Sequence, residues 1–222
     1  MSRRVAVLRP EPGNRATVAA LREAGLEAIA LPLFAIVPVA WRAPEAADHD
    51  ALLLTSANAV RCAGPQLGAL SGLPVIAVGA ATAQAARNAG LDVALAGTGG
   101  IAEIVAEAAA RGLHRLLHLA GRDRMPAPAG VAATITVYES RERALDPAAL
   151  RPIAGQVALL HSPRAARRFA ALCEASIDRG TVRLAVLSPA IAEAAGSGWA
   201  ELAVAADRSD AALVALARRL AD

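Results

Sequence analysis

Small and hydroxyl-bearing residues recur where a predicted strand gives way to a predicted helix. They form four turns: Thr55-Ser56-Ala57-Asn58, Gly79-Ala80-Ala81-Thr82, Ser162-Pro163-Arg164 and Ser188-Pro189-Ala190. Ser, Thr and Asn are common N-caps, so one such turn alone indicates only the start of a helix. In open α/β sheets, however, ligands bind beyond the carboxyl ends of the strands, where helix N-termini offer N–H groups to anions. The four turns together therefore predict an anion-binding site built largely from backbone.

Arginine supplies all the positive side-chain charge of this 222-residue chain, because its 23 basic residues include no lysine. A guanidinium pairs bidentately with carboxylate or phosphate, so this composition suits an anionic partner. The candidates at or near predicted strand ends are Arg9, Arg122, Arg164 and Arg183, with Gly121 directly before Arg122. Without lysine, Schiff-base and phosphate-loop lysine chemistries are excluded. With only two Trp, two Phe and one Tyr, we expect no nucleic-acid partner.

Tyr138 is the only tyrosine, and it lies in the extended segment ITVYESR, residues 135–141. A lone tyrosine is commonly a half-buried packing residue. Its phenol is nevertheless protonated at neutral pH and can donate a hydrogen bond or a proton to a leaving group. Because this segment is predicted to cross between two domains, its position favours a place beside a cleft. Tyr138 is therefore the candidate catalytic residue.

Other familiar catalytic patterns are missing. Residues 97–100, Gly-Thr-Gly-Gly, lack the spacing of a dinucleotide-binding loop. His114 and His118 are four residues apart, but they flank a predicted strand entry and have no acidic or thiol partner nearby in the sequence. Ser162 follows His161 outside any nucleophile-elbow context. We accordingly expect neither a metal nor an organic cofactor.

Short β-type runs alternate with Ala- and Leu-rich amphipathic helices, a pattern typical of βαβ units with parallel sheets. Predicted strands include 5–8, 52–54, 75–78, 116–119, 134–138 and 157–160; predicted helices include 14–24, 80–89, 100–111, 165–175 and 210–220. No apolar run reaches the roughly 18 residues of a membrane helix, and the start of the chain has no signal-peptide pattern. We therefore expect a cytoplasmic protein with no membrane partner.

Segments of the second half repeat those of the first half in the same order. LLLTSANAVRCA (52–63) aligns with ALLHSPRAARRFA (158–170), and VIAVGAATAQAA (75–86) aligns with LAVLSPAIAEAA (184–195). Helix 100–111 then matches helix 210–220. The ordered matches predict two similar α/β domains with parallel sheets, of flavodoxin- or Rossmann-like type.

Two extended segments are typical of crossings between such domains. Segment 32–39 contains two prolines, and segment 135–141 is rich in β-branched residues. If both cross, one domain is inserted into the other. We predict an inserted domain, 35–138, and a discontinuous domain, 1–34 plus 139–222, with a cleft between them.

Taken in order, these segments resemble the uroporphyrinogen-III synthase family. The similarity is carried by VAVLRPEPGN, AGLEAIALPLFAIVPV, LLLTSANAVR, VIAVGAATAQAARNAGL, ITVYES, LLHSPRAARRF and the LAVLSP–AIAEAA turn, and it spans essentially the whole chain. The resemblance implies two α/β domains that are joined by a two-stranded β ladder and close on hydroxymethylbilane. This substrate is a linear tetrapyrrole with acetate and propionate side chains.

The resemblance also implies a reaction and a site. In the family, the substrate loses its terminal hydroxyl and cyclises to uroporphyrinogen III with inversion of the last ring, without a cofactor, in heme biosynthesis. The family's crossing-strand tyrosine falls on Tyr138, and its cleft hydroxyl and basic residues fall on Thr55, Ser56, Thr82, Ser162 and Arg183. The predicted substrate-binding set is completed by Arg9, Asn58, Gly121, Arg122, Arg164, Ser188 and Ala190.

Two other functions fit the same pattern. Ile191 stands where many relatives carry threonine, which motivates a non-catalytic anion-binding or regulatory module of the same fold. A flavodoxin-like nucleotide binder is the third hypothesis. For the enzyme, we expect a small-molecule polycarboxylate as partner, functional coupling to hydroxymethylbilane synthase, and a monomer, because nothing in the pattern requires a dimer.

Overall fold

The computed structural model describes residues 2–97 and 100–222, so Thr98 and Gly99 of the glycine-rich stretch lie outside the described residues. The chain divides into two compact units. The first unit comprises the chain up to Ala35 together with Glu142–Asp222, and the second comprises Ile36–Arg141. Each unit is built on a mainly parallel β-sheet with helices packed against it. The predicted α/β fold class is therefore confirmed.

Strands and helices are numbered in chain order through both units. The strands are β1 (Val5–Val7), β2 (Ala28–Ala30), β3 (Phe34–Pro38), β4 (Ala51–Leu54), β5 (Val75–Val78), β6 (Val93–Gly97), β7 (Leu116–Gly121), β8 (Val131–Glu142), β9 (Val157–Leu160), β10 (Arg183–Val186) and β11 (Glu201–Val204). The helices are α1 (Gly13–Glu23), α2 (Ala57–Ala63), α3 (Ala80–Asn88), α4 (Ile101–Ala110), α5 (Pro163–Glu174), α6 (Pro189–Ala195) and α7 (Asp210–Ala221). Within the described residues, no helix is both long enough and apolar enough to cross a bilayer.

The two sheets share one strand arrangement. The first unit has the order β11-β10-β9-β1-β2, and the second has β6-β5-β4-β7-β8 with β3 added beside β8. The pairs around β9 and around β4 are parallel. In both units, three strand–helix repeats run in the same direction along the chain, as the repeated segments predict.

The central strands of the second unit, β4, β5 and β7, are buried on both faces, which explains their continuous apolar sequences. Leu52, Leu54, Leu117 and Leu119 pack into one core together with α2 and α3 residues, and residues such as Leu53 pack on the opposite face with α4. Side chains alternate between faces along a strand, so His118 of β7 shares the α4 face with Leu53. The register pairs these two residues directly. A buried histidine thus lies among mainly apolar residues, with Thr134 of β8 as its register partner on the other side.

The second crossing strand is longer than the sequence pattern predicts. β8 runs from Val131 to Glu142, whereas the pattern predicts a strand over 134–138 and a crossing over 135–141. Pairing with β7 explains the extension at the start of the strand, because the ladder begins at Val131 and continues through two register shifts to Tyr138. On its other side β8 is the neighbour of β3. The pairing partner of a strand is not encoded in its own sequence, so its length is underestimated from propensity alone.

Candidate active site

A pocket of about 330 Å³ lies in the second unit at the carboxyl ends of β4 and β7. It brings together four residues of the predicted set: Thr55, Ser56, Gly121 and Tyr138. Its wall is completed by Val78, Ile101, His118, Ala120, Asp123, Arg124, Met125 and Pro126. The position agrees with the general rule that open parallel sheets bind ligands beyond the carboxyl ends of their strands.

The phenol of Tyr138 lies directly against the backbone of Gly121. A Cβ atom added to Gly121 would be 2.7 Å from Cε2 and Cζ of the ring and 2.9 Å from the phenol oxygen. The main chain is fixed as well, since the Arg122 N–H donates to the Tyr138 carbonyl at 2.9 Å. A larger residue at position 121 would displace the phenol. Gly121 therefore allows Tyr138 to reach the pocket.

Thr55 and His118 form a buried polar pair at the pocket wall. Thr55 Oγ1 lies 3.0 Å from Nε2 of His118. His118 is buried, with 3% of its surface exposed. Burial, together with the positive charge of Arg124, lowers the pKa of His118 to about 4. The imidazole is therefore neutral at physiological pH. Its Nδ1 is buried, and no hydrogen-bond partner for it occurs in the described part of the chain.

Arg124 brings a positive charge to the same pocket. Its Nη1 donates to the Gly121 carbonyl at 2.7 Å and to the Thr136 hydroxyl at 2.9 Å. Both acceptors are neutral, so these bonds orient the guanidinium without cancelling its charge. A guanidinium in this state is suited to a carboxylate.

Two residues of this pocket, His118 and Arg124, are not in the predicted set. His118 lies in the predicted strand 116–119, where the sequence pattern indicates only a strand. The feature that could have identified it is a polar residue between two leucines of a buried strand. Arg124 gives no signal of its own, because the connection from β7 to β8 over residues 122–130 contains no recognisable motif. Only the fold places this connection beside Thr55.

Some of the predicted hydroxyl and amide residues cap helices, and some line the second-unit pocket. Ser56 and Ser162 are N-caps of α2 and α5, and each side-chain oxygen accepts a backbone N–H at 3.2 Å. Thr82 is buried in the first turn of α3 and does not line the pocket. The Asn58 side-chain oxygen accepts from Arg61 at 3.2 Å. Of these residues, Ser56 both caps a helix and lines the pocket.

The four predicted arginines make contacts within their own units. Arg9 lies 2.6 Å from a carboxylate oxygen of Asp210, and Arg122 lies 2.7 Å from one of Glu139. Arg183 donates to the Leu220 carbonyl at 3.1 Å and lies 3.7 Å from Glu201. The Arg164 guanidinium is 4.5 Å from the centre of the Phe34 ring. Arg9, Arg122 and Arg183 each have a carboxylate neighbour, and contact of any of the four arginines with substrate stays a prediction.

A second pocket, of about 270 Å³, lies in the first unit beside the N-terminus of α6. It brings together Ser188 and Ala190 with His161, Pro163, Leu187, Ile191 and Arg208. The His161 side chain is 9% exposed, and its Nε2 lies 3.5 Å from a carboxylate oxygen of Asp210. Burial lowers the pKa of His161, whereas the neighbouring His161 and Arg9 lower the pKa of Asp210 to about 2.

In the part of the chain that the structure describes, no group of three or more His, Cys, Asp or Glu side chains is arranged to hold a metal ion. The polar side chains of the second-unit pocket are the Tyr138 phenol, the hydroxyls of Thr55 and Ser56, the neutral His118 imidazole, the Arg124 guanidinium and the Asp123 carboxylate. All of these except the carboxylate can donate a hydrogen bond to an anion.

Together, fold and pocket define a two-unit α/β protein with a strand-end site for an anionic small molecule. The sequence profile described as uroporphyrinogen-III synthase HemD matches residues 15–215, and the chain belongs to this family. A search of curated proteins gives no significant match.

One solved structure supports the fold, and a second is only a similar chain. Uroporphyrinogen-III synthetase from Helicobacter pylori superposes with a TM-score of 0.70 at 17% identity, covering 98% of this chain and 99% of that one. A mutant uroporphyrinogen III synthase from Thermus thermophilus matches at 18% identity with a TM-score of 0.48, covering 99% of both chains. The family match confirms the resemblance found in the sequence and assigns the chain the function of uroporphyrinogen-III synthase. This family has an enzymatic role in heme biosynthesis and acts on a small-molecule tetrapyrrole.

Proposed function

We propose that this chain is a cyclising hydro-lyase, which converts hydroxymethylbilane to uroporphyrinogen III with loss of water and inversion of the terminal ring. One observation carries the proposal at the level of residues: a phenol, an alcohol and a guanidinium surround one pocket in a chain of this family. The phenol is suited to a departing hydroxyl group, and the guanidinium is suited to a carboxylate side chain of the substrate.

Tyr138 is the proton donor in this proposal. As the carbon–oxygen bond of the hydroxymethyl group breaks, both bonding electrons leave with the oxygen, and the phenol proton converts it to water. The electron-poor methylene carbon is then attacked by the substituted α-carbon of the terminal pyrrole, which gives a spiro intermediate. The bond from that α-carbon to its original bridging methylene then breaks, and this methylene bonds to the free α-carbon of the same pyrrole, so that the pyrrole is inverted and the macrocycle is closed. The pyrrole proton lost at ring closure returns to the tyrosinate. The sequence is redox-neutral and needs no organic cofactor.

Arg124 and Thr55 hold the substrate in this proposal. A tetrapyrrole with eight carboxylates is flexible, and ring closure requires its two ends to meet in one geometry, so fixing that geometry is a large part of catalysis. Arg124 pairs with one acetate or propionate group, and the Thr55 hydroxyl donates a second hydrogen bond. Met125, which is 82% exposed beside the pocket, offers an apolar surface to a pyrrole ring.

The other members of the predicted set contribute to substrate binding to different degrees. Ser56 and Gly121 line the same pocket as Tyr138, and Ser188 and Ala190 line the pocket of the first unit. This placement supports a binding role for all four. Direct contacts from Arg9, Asn58, Thr82, Arg122, Ser162, Arg164 and Arg183 have no such support.

A coupled isomer assay tests the proposed reaction. Hydroxymethylbilane synthase generates the substrate in situ, and oxidised products are separated by chromatography into type I and type III uroporphyrin. Without a second enzyme the linear substrate closes spontaneously to the type I isomer. We expect the added chain to divert most of the product to type III. Unchanged type I product would overturn the reaction and leave a binding module of the same fold.

We also propose that the chain acts as a cytoplasmic monomer, coupled to hydroxymethylbilane synthase because the substrate is chemically labile. Light scattering after gel filtration should give the 22.5 kDa of one chain. A mass near twice that value, stable on dilution, would contradict the monomer. To test coupling, the synthase produces labelled hydroxymethylbilane in the presence of added unlabelled hydroxymethylbilane. If the unlabelled compound dilutes the label in the product fully, the coupling proposal is contradicted.

A further inference from the structure

We propose that His118 is a positioning residue that donates its Nε2–H to the hydroxyl of Thr55, and so turns the hydroxyl hydrogen of Thr55 toward a substrate carboxylate in the pocket. The inference rests on the proposed function, because it specifies how a pocket residue of the second unit binds that substrate. It assigns a role to a buried histidine outside the predicted site.

The location of His118 requires an explanation in its own right. The α4 face of this sheet has Leu53, Ile104 and Leu116 among its buried residues, and Thr134 of β8 is the register partner of His118. A polar side chain in such a layer is costly unless it is hydrogen-bonded. Its one hydrogen-bond contact in the described residues is the 3.0 Å approach to Thr55. One ring nitrogen of His118 is hydrogen-bonded and, among the residues described, the other is not. A leucine at this position would avoid the free-energy cost of burying the unpaired nitrogen.

The unpaired Nδ1 identifies the tautomer. A neutral imidazole carries its hydrogen on one nitrogen and a lone pair on the other. If Nδ1 carried the hydrogen, a buried N–H would have no acceptor, and such orphaned donors are rarer in folded proteins than unpaired acceptors. With the hydrogen on Nε2, the donor is paired and only a lone pair is unsatisfied. We assign the Nε2–H tautomer on this ground.

The tautomer decides what Thr55 presents to a ligand. If the hydroxyl donated its hydrogen to Nε2, it would present only lone pairs to the pocket, which repel a carboxylate. When Nε2–H donates instead, the hydroxyl hydrogen is available to an anion. Arg124 lines the same pocket and provides the matching charge. The two residues then form a receptor for one carboxylate, consisting of a guanidinium and an oriented alcohol.

A double-mutant cycle tests whether His118 acts through Thr55. His118→Leu removes the donor and fits the mainly apolar layer, and Thr55→Val removes the hydroxyl at nearly constant volume. We expect each single variant to raise KM about tenfold, with kcat within about threefold, because a hydrogen bond to a charged acceptor is lost. The double variant should be no worse than Thr55→Val alone. Full additivity of the two effects would overturn the proposal.

A conservative variant separates positioning from packing. In His118→Gln, the amide nitrogen replaces Nε2 as a donor, so we expect KM within about threefold of the wild-type value. If His118→Gln has the same KM as His118→Leu while both melt at the wild-type temperature, the donor role is wrong. If His118→Leu fails to fold, the Gln variant and the tautomer measurement still decide the matter.

The tautomer is measured directly by nitrogen-15 NMR of the histidine side chains in the free protein. We expect Nδ1 of His118 to show the chemical shift of an unprotonated nitrogen between pH 6 and 8, and a protonated Nδ1 would overturn the assignment. This measurement needs no substrate. Failure of the isomer assay would therefore refute the proposed reaction, whereas an Nδ1–H tautomer would refute the positioning role alone.

Discussion

The two units have the same strand order but a different polar chemistry at the carboxyl ends of their strands. In the first unit, Arg9 is paired with Asp210 at 2.6 Å, and Asp210 also faces His161. In the second unit, Arg124 is held by two neutral oxygens, and Thr55 contacts a neutral histidine. Arg9 of the first unit is thus paired with a carboxylate, whereas the two hydrogen-bond acceptors of Arg124 in the second unit are neutral.

The connection between corresponding strands explains this difference. In the first unit, parallel strands β1 and β2 are joined through α1, whose buried Asn14 donates to the carbonyls of Val7 and Arg9. In the second unit, parallel strands β7 and β8 are joined by residues 122–130 without a helix. A crossover between parallel strands usually contains a helix that packs on a face of the sheet. Its absence leaves room for a pocket, and the connection itself supplies Arg124.

A duplicated half-fold therefore does not imply duplicated binding. The repeat preserves the strands and the N-capping serines, which are the parts needed for folding in either copy. The residues that differ, Thr55 against His161 and Arg124 against the ion-paired Arg9, are those that determine what the strand ends can bind. The comparison predicts that substitutions of Tyr138 and Arg124 in the second unit affect catalysis, whereas substitutions in the Arg9–Asp210 pair of the first unit affect stability.

The largest effect is expected for Tyr138→Phe. The change removes the proton donor and keeps the ring that packs against Gly121, so folding should be preserved. General acid catalysis is typically worth 10²–10⁴ in rate, and we expect kcat to fall by about 100-fold or more with KM nearly unchanged. The coupled isomer assay measures both values.

Its matched control is Phe169→Leu in the first unit, which also alters a buried aromatic ring and should reduce thermal stability without a comparable loss of kcat. If Tyr138→Phe retains activity within about threefold, Tyr138 is a packing residue and the reaction depends on positioning alone.

The next effect concerns the pH dependence of stability. The folded-state pKa of His118 is lowered from 6.5 to about 4, so the unfolded chain binds a proton that the folded chain excludes between these values. The stabilisation is fully present above pH 6.5 and is lost as the pH falls toward 4. The loss amounts to as much as about 3 kcal/mol for a shift of this size.

Denaturant unfolding at pH 7.5, 6 and 4.5 measures this effect. His118→Leu removes the titrating group, so its unfolding free energy should fall less with decreasing pH than that of the wild type. His161→Leu is the control in the first unit, where burial also lowers the histidine pKa but the Asp210 carboxylate opposes the shift. Equal pH dependence in His118→Leu and the wild type would show that His118 is not the group that titrates.

A smaller effect is expected for Arg124→Gln. Glutamine can still bond to the Gly121 carbonyl but has no charge, so we expect KM to rise about 10- to 30-fold with kcat little changed, the range expected for a charge-assisted hydrogen bond. Arg111→Gln, which breaks only an exposed pair with Glu107 on α4, is the control and should leave KM within twofold. A larger KM effect in Arg122→Gln than in Arg124→Gln would transfer the carboxylate site to Arg122.

Most of the fold could be predicted from the sequence because the relevant signals are local. Buried parallel strands are continuous apolar runs such as 51–54, and helix starts are marked by caps such as Ser56 and Ser162. The repeat then orders these elements into two units. The extent of β8 was not predictable in this way, because its start depends on pairing with β7 and not on its own residues.

The candidate site was predictable only in part, for a physical reason. Thr55, Ser56 and Tyr138 follow or lie in recognisable strands, so the topology places them at one edge. The charge of Arg9 and that of Arg124 are indistinguishable in sequence, yet one is 2.6 Å from a carboxylate and the other is held by neutral oxygens. Which charged side chains form ion pairs depends on the tertiary structure, so the partners cannot be identified from a single sequence.

The smallest effect, and the sharpest test of the comparison, is expected for Asp210→Asn in the first unit. The change removes the ion pair with Arg9 and a negative charge in the first turn of α7. Because this pair is partly exposed and such terms are each worth about 1 kcal/mol or less, we expect a loss of about 1 kcal/mol in the unfolding free energy.

KM and kcat of Asp210→Asn should remain within about twofold of the wild type, since Arg9 is paired with Asp210 within the first unit. Glu107→Gln, which breaks an exposed pair on α4, provides the baseline for a surface carboxylate. The comparison fails if Asp210→Asn lowers KM severalfold at unchanged stability, because a released Arg9 would then be binding a substrate carboxylate. In that case arginines of both units bind substrate carboxylates, and the ion pair with Asp210 weakens the binding by Arg9.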